Sequence, residues 1–218
     1  MVSDDDVSNY NKIKNDLDKL RLLVEQSELW IFKKKEKENA DDAPNETKFV
    51  DDRNKNLNQI KSLAKNASLQ NEKLSGDQYV LQELENGPEI EMSAILKYKE
   101  LYRILFNMIK LCVNETKSAD GTITKKPRRN DQRLLRNMGV HNIVLELTKI
   151  SYEKSEDIRM RIIMKTAHEF LQNFCFGNTH NQSLLYEKLD LTHYPSNEWE
   201  ATTATYIFKV KSYYYVLY

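Results

Sequence analysis

The four imidazoles, His141, His168, His180 and His193, are the first residues to weigh, because histidine titrates near neutrality and binds metals. His168 precedes Glu169, the start of an HExxH zinc motif, but position 172 is Gln and the other histidine ligand is missing. No spacing brings three ligands together, so no metal site is expected. Neither a GxGxxG nor a GxxxxGK[ST] nor a GxSxG motif occurs, so nucleotide-binding loops and nucleophile elbows have no support. No catalytic residue and no cofactor-binding residue is expected. His141, near a helix start, and His168, within a helix, read as surface or groove-edge residues.

Two other groups could bind or lock. The run Lys125–Arg129 (KKPRR), with Arg133 and Arg136 beyond it, is the densest basic cluster. A phosphate, an acidic partner or a docking kinase would suit it. No aromatic platform interleaves it, which argues against single-stranded nucleic acid and for a solvated loop. Asn173, Asn178, Asn181 and Gln182 crowd one helix–turn–helix corner. Short amides there serve as caps and turn bonds, or they lock neighbouring repeats together. Cys112 and Cys175 each fall inside an apolar helical stripe, which reads as two buried thiols in a reducing compartment.

Composition sets bounds on these groups. The chain has 218 residues, 40% hydrophobic and 30% charged, with only 5 Gly and 4 Pro, too few for a turn-rich β-sandwich or barrel. Lys plus Arg and Asp plus Glu number 33 each, so no bulk field attracts nucleic acid or an anionic membrane. The start, MVSDDDVSNY, lacks the apolar core of a signal peptide, and no window approaches a membrane span. Without a secretory signal, the Asn-X-Ser/Thr triplets at Asn45, Asn66, Asn114 and Asn181 read as chance.

Periodicity then places the elements. Tyr10, Ile13, Leu17, Leu20, Val24 and Ile31 make one apolar stripe, predicting a helix over about 6–30 with Asp6 at its start. Residues 33–91 mix both charge signs with few large apolar groups and read as a disordered loop, with a weak helical pattern at Leu57, Ile60 and Leu63. Another helix is expected over 93–113, striped by Ile95, Tyr98, Tyr102, Leu105, Phe106, Ile109 and Cys112. The polar run NETKSADGTITKKPRRN follows as a loop.

From Asp131 to Leu191 four amphipathic helices come in quick succession. Asn130 is expected to cap the first and Gly139 to end it. Ser155 is expected to cap the long third helix and Gly177 to close it. The last begins near Asn178. Short, short, long, short is the pattern of armadillo- and HEAT-like units, which cannot bury their apolar faces alone. Beyond Leu191, half of the 12 tyrosines fall in the last 25 residues, and TATYIFKVKSYYYVLY has strand propensity with no partner strand. That tail reads as irregular and outside the repeat pattern, in the manner of a truncated gene model. Its SYYYVLY window makes the isolated chain aggregation-prone.

Two blocks resemble the inositol trisphosphate receptors: Asp6–Lys34 (DVSNYNKIKNDLDKLRLLVEQSELWIFKK) and Gln132–Leu191 (QRLLRNMGVHNIVLEL through LLYEKLDL), with KLCVNE, Lys110–Glu115, between them. The Gln132–Leu191 block is similar to the domain shared by ryanodine and inositol trisphosphate receptors. The resemblance implies part of a ligand-gated calcium-release channel at the endoplasmic reticulum membrane, on its cytosolic face. The implied role is an α-solenoid that couples inositol trisphosphate binding to pore opening. The rest of the receptor chain and its homotetramer subunits would be the partners. Calcium and inositol trisphosphate would act on the intact receptor, and no ligand-binding residue transfers to any position here.

The resulting expectation is an all-α, armadillo/HEAT-like solenoid segment that is not an enzyme and has no cofactor, nucleic-acid partner or transmembrane segment. Its divisions are a scaffold helix over 1–32, a disordered charged loop over 33–91, a helical-repeat domain over 92–191 and a non-family tail over 192–218. The competing reading is a free-standing α-solenoid adaptor that binds a protein through its groove.

Overall fold

Apolar residues repeat every three or four positions through most of the chain, and each such stripe becomes one side of a helix in the computed structural model. The structure describes residues 4–34, 76–118, 120–188, 201–205 and 207. Its elements are α1 (Asp4–Glu25), a 3-10 turn (Ser27–Leu29), α2 (Gly76–Glu83), α3 (Met92–Cys112), β1 (Val113–Lys117), β2 (Ile123–Pro127), α4 (Arg129–Asn137), α5 (Val140–Thr148), α6 (Ile158–Cys175) and α7 (Thr179–Lys188). Residues 201–205 are also helical. The described residues are mostly helical, with one two-stranded hairpin, as the apolar periodicity predicted.

α6 is the axis of the fold. It packs most extensively on α3, with α5 and α7 on its other sides, while α1 lies against α3 and α5. Met160, Ile163, Ala167, Phe170, Leu171 and Phe174 of α6 are buried against Tyr98, Leu101, Leu105 and Met108 of α3 and against Val144 and Leu147 of α5. Ile13, Leu17 and Leu20 of α1 complete the same core. Each large apolar side chain so buried stabilises the fold by roughly 1.5–3 kcal/mol, which explains why helices with one oily side cluster around the longest apolar one.

Several expectations are corrected. The polar run after Cys112 is an antiparallel hairpin rather than a loop, with Val113 opposite Pro127 and Lys117 opposite Ile123. Asp120 and Gly121 (φ 85°) build its turn, where the Thr122 N–H donates to Asp120 Oδ1 at 2.9 Å. α6 is capped by Asp157, whose carboxylate accepts from Met160 N–H at 2.8 Å, and not by Ser155. α4 starts at Arg129 without a side-chain cap, so Asn130 lies inside it, as Asp6 lies inside α1. Gly139 (φ 75°) and Gly177 (φ 62°) do adopt the left-handed conformation that follows a helix end.

The loop expected over 33–91 is ordered over 76–91: Leu84 is fully buried, and α2 leads into a turn that docks on α6. Leu57, Ile60 and Leu63 lie outside the described residues, as does the SYYYVLY window. Within the tail, residues 201–205 are helical rather than irregular, and Thr203 and Ile207 are buried.

Candidate functional site, a helix held by polar locks at both ends

The C-terminal end of α6 is bound by amides. Gln132 of α4 has no exposed surface, and its Nε2 donates to the Asn173 carbonyl at 2.9 Å and the Phe176 carbonyl at 3.0 Å. Its Oε1 accepts from Asn178 Nδ2 at 3.1 Å. Asn178 Oδ1 accepts from Asn181 N–H at 3.2 Å and so caps α7. Asn181, also fully buried, donates from Nδ2 to the Phe174 carbonyl at 2.8 Å and accepts from Arg136 at 2.9 Å. The amides therefore do both jobs foreseen for them: they cap, and they join α4, α6 and α7. The Asn173 side chain bonds only locally, donating to the Glu169 carbonyl of its own helix at 2.8 Å, while its carbonyl takes the Gln132 bond. The orphan carbonyls at a helix end must find donors, and here a side chain from another helix supplies them.

His141 sits beside this corner, 4% exposed and stacked on Phe174 with 5.5 Å between ring centroids. Its Nδ1 is the one buried side-chain polar atom without a partner among the described residues. Burial, with Lys188 and Arg136 adding repulsion, lowers its pKa to about 4. The ring is thus neutral and serves as an aromatic plate, contrary to the surface role expected of it.

The N-terminal end of α6 is bound by charge and phenol. Tyr98 of α3 is buried against Trp30, ring centroids 5.0 Å apart and nearly perpendicular. Its hydroxyl donates to Asp157 Oδ2 at 2.7 Å and accepts from the Phe32 N–H at 3.1 Å. Burial, and secondarily the Asp157 charge, pushes that hydroxyl well above the ordinary phenol range, so it remains a donor. Arg159, 2% exposed, donates from Nε to the Leu84 carbonyl at 2.9 Å, and its other nitrogens reach the Pro88 and Glu85 carbonyls at 2.9 and 3.2 Å. Gly87 (φ 122°) lets that turn approach, because a Cβ there would lie 3.2 Å from the guanidinium.

The remaining candidates scatter. His168 Nδ1 lies 3.1 Å from Thr203 Oγ1, which also accepts from Gln172 at 2.9 Å, pinning the helical tail to α6. His180 is exposed, and His193 lies outside the described residues. Cys112 and Cys175 are buried; burial raises both thiols, Cys175 to about 12, so neither is reactive. Among the described residues no cluster of His, Cys, Asp or Glu could hold a metal. The basic cluster is partly neutralised, Lys125 by Glu115 at 2.8 Å and Arg128 by Asp131 at 2.7 Å. Gln132, Asp157 and Arg159 were not singled out by sequence, and Tyr98 was read only as part of the α3 stripe, where it is indeed buried, since their polar roles depend on distant partners.

α6 is thus packed against α3, α5 and α7, keeps one face of Arg161, Lys165 and Glu169 exposed, and is clamped by polar bonds at each end. Residues 99–194, which hold most of this arrangement, match the model of the RIH domain. Over an alignment of 222 residues the chain is 28% identical to the inositol 1,4,5-trisphosphate receptor itr-1 of Caenorhabditis elegans. That alignment takes in 86% of this chain and 7% of the receptor, so the chain spans a small part of the relative's length. The resemblance to inositol trisphosphate receptors therefore holds over most of the chain, and the shared-domain match begins earlier than Gln132, within α3.

Proposed function

We propose that the chain is a force-transmitting segment of the cytosolic α-solenoid of a ligand-gated calcium-release channel. The segment couples inositol trisphosphate binding elsewhere in a tetramer to opening of a pore elsewhere in it. The intact receptor would sit in the endoplasmic reticulum membrane. No described helix is long and apolar enough to cross a membrane. The observation that carries the reading is the double clamp of α6. Bonds from Gln132 at one end, and from Tyr98 and to the Leu84 carbonyl at the other, tie α4, α3 and the turn after α2 to one rod. A rod so held moves as a unit, which is what passing a displacement between sites requires.

The armadillo/HEAT-like reading is supported by the succession α4, α5, α6, α7 and by the helical residues 201–205 that dock on α6 through Thr203. In this reading residues 92–191 form the repeat domain and residues 1–32 its flanking helix. Thr203 and its neighbours belong to the next helix of the stack, not to a foreign tail.

The test is a chimera in which this chain replaces the matching segment of the worm receptor, expressed in cells without endogenous release channels. Ligand-evoked calcium release should survive the exchange and fall severalfold when Gln132→Ala loosens the corner. Undiminished release from that variant, with its thermal stability shown to have dropped, would count against a coupling role.

A further inference from the structure

The hairpin has two edges, and they are not equivalent. Arg128 N–H donates to the Cys112 carbonyl and Ser118 N–H to the Thr122 carbonyl, so even-numbered residues carry the bonds within the ladder. Odd-numbered residues therefore aim their backbone groups outward: Val113, Glu115 and Lys117 on β1, and Ile123, Lys125 and Pro127 on β2. The β2 edge is blunted, because Pro127 has no N–H and no self-pairing of this strand offers Lys125 a carboxylate. The β1 edge is open: Asn114 to Lys117 are exposed, and among the described residues no other strand lies against it.

We infer that the outer edge of β1 pairs antiparallel with β1 of another copy of this chain, about a two-fold axis at Thr116. The argument is charge and register. With Thr116 opposite its own copy, Glu115 falls opposite the other copy's Lys117, and Lys117 opposite its Glu115. Both are outward-facing positions, so each couple exchanges two backbone hydrogen bonds, about four in all. Glu115 already meets Lys125 on the same face, which gives the row Lys125, Glu115, then Lys117 of the other copy, alternating in sign. On the opposite face the Thr116–Thr124 hydroxyl pair, 2.7 Å apart, extends into a ladder of four threonines. Moving the axis one residue back, onto Glu115, sets Glu115 against itself; moving it one residue on sets Lys117 against itself. Among registers that keep outward-facing residues paired, only the axis at Thr116 sets Glu115 and Lys117 opposite each other, a mark that an uncharged edge strand lacks. The contact is small, so association should be weak, half-maximal on the order of 0.1 mM.

The test uses charge swaps on the whole chain. Glu115→Lys alone sets Lys against Lys, and Lys117→Glu alone sets Glu against Glu; each should sediment as monomer where the native chain shows dimer. An equimolar mixture restores both couples and should regain the dimer. A Thr116→Cys variant supplies a further readout that general aggregation does not mimic. Facing thiols at the axis should give a covalent dimer with oxidised glutathione, two thiols oxidised as one glutathione disulfide is reduced. Thr124→Cys, a strand further out, should not. Cys112 and Cys175 are buried and serve as an internal blank. A native chain that stays monomeric near 1 mM, single variants that dimerise as well as the native chain, or equal crosslinking at 116 and 124 would each overturn the inference.

Discussion

The two ends of α6 solve one problem with different chemistry. At the N-terminal end a carboxylate, a guanidinium and a phenol are buried, and the guanidinium's partners are backbone groups 71 to 75 residues away, Pro88, Glu85 and Leu84. At the C-terminal end neutral amides do the work, with partners 41 to 46 residues away. A buried charge stabilises only while its bonds are complete, whereas an amide network loses one bond at a time. The first clamp is therefore strong and brittle, and the other is graded.

The comparison breaks most visibly at Arg159. Arg159→Leu leaves three carbonyls without their donor and should cost about 4 kcal/mol, read as a drop in thermal midpoint. A loss under about 1 kcal/mol would mean that water replaces the guanidinium and that the clamp is not brittle. At the other end, Asn178→Ala together with Asn181→Ala should cost about 3 kcal/mol, since the Phe174 carbonyl, Gln132 and Arg136 each lose a partner. The single variants should each cost about half of that, which a double-mutant cycle with Gln132→Ala would resolve into coupling. No coupling is expected between Gln132 and Tyr98, at opposite ends.

Acid separates the ends next. The folded pKa of His141, about 4, lies below its ordinary 6.5, so the folded state resists the proton. Its contribution is complete above pH 6.5, declines as pH falls through that value, and is gone once pH passes below about 4. About 3 kcal/mol should disappear across that window, and His141→Phe, which keeps the stack on Phe174, should remove that part of the slope. Tyr98→Phe should cost about 2 kcal/mol, because the ring still packs on Trp30 while Phe32 N–H and the buried Asp157 carboxylate lose the hydroxyl. Hydrogen exchange at Phe32 would report that loss directly.

Much of the helical skeleton was legible because amphipathic spacing is local. The stripe from Ile95 to Cys112 placed α3 within a residue at each end, and Gly139 and Gly177 marked helix ends by their backbone freedom. The amide corner could be suspected because its asparagines are close in sequence. The hairpin could not: its strands read VNETK and ITKKP, without apolar alternation, and beyond its root at Val113 and Pro127 it stands on turn geometry and cross-strand pairs. The order of residues 84–90 was equally hidden. That turn is held by Arg159 through main-chain carbonyls, and a carbonyl leaves no mark in the sequence. Where polar side chains bond backbone far away, composition argues for solvent and the fold decides otherwise.

The root of the hairpin has one more consequence. A Cβ at position 177 would lie 2.8 Å from the Pro127 ring, so the bare glycine is a socket into which that ring fits. The socket closes α6, one residue from the Phe176 carbonyl that Gln132 holds. Whatever grips the projecting ribbon therefore has a handle on the amide corner, and a tug at Thr116 would arrive there as a twist.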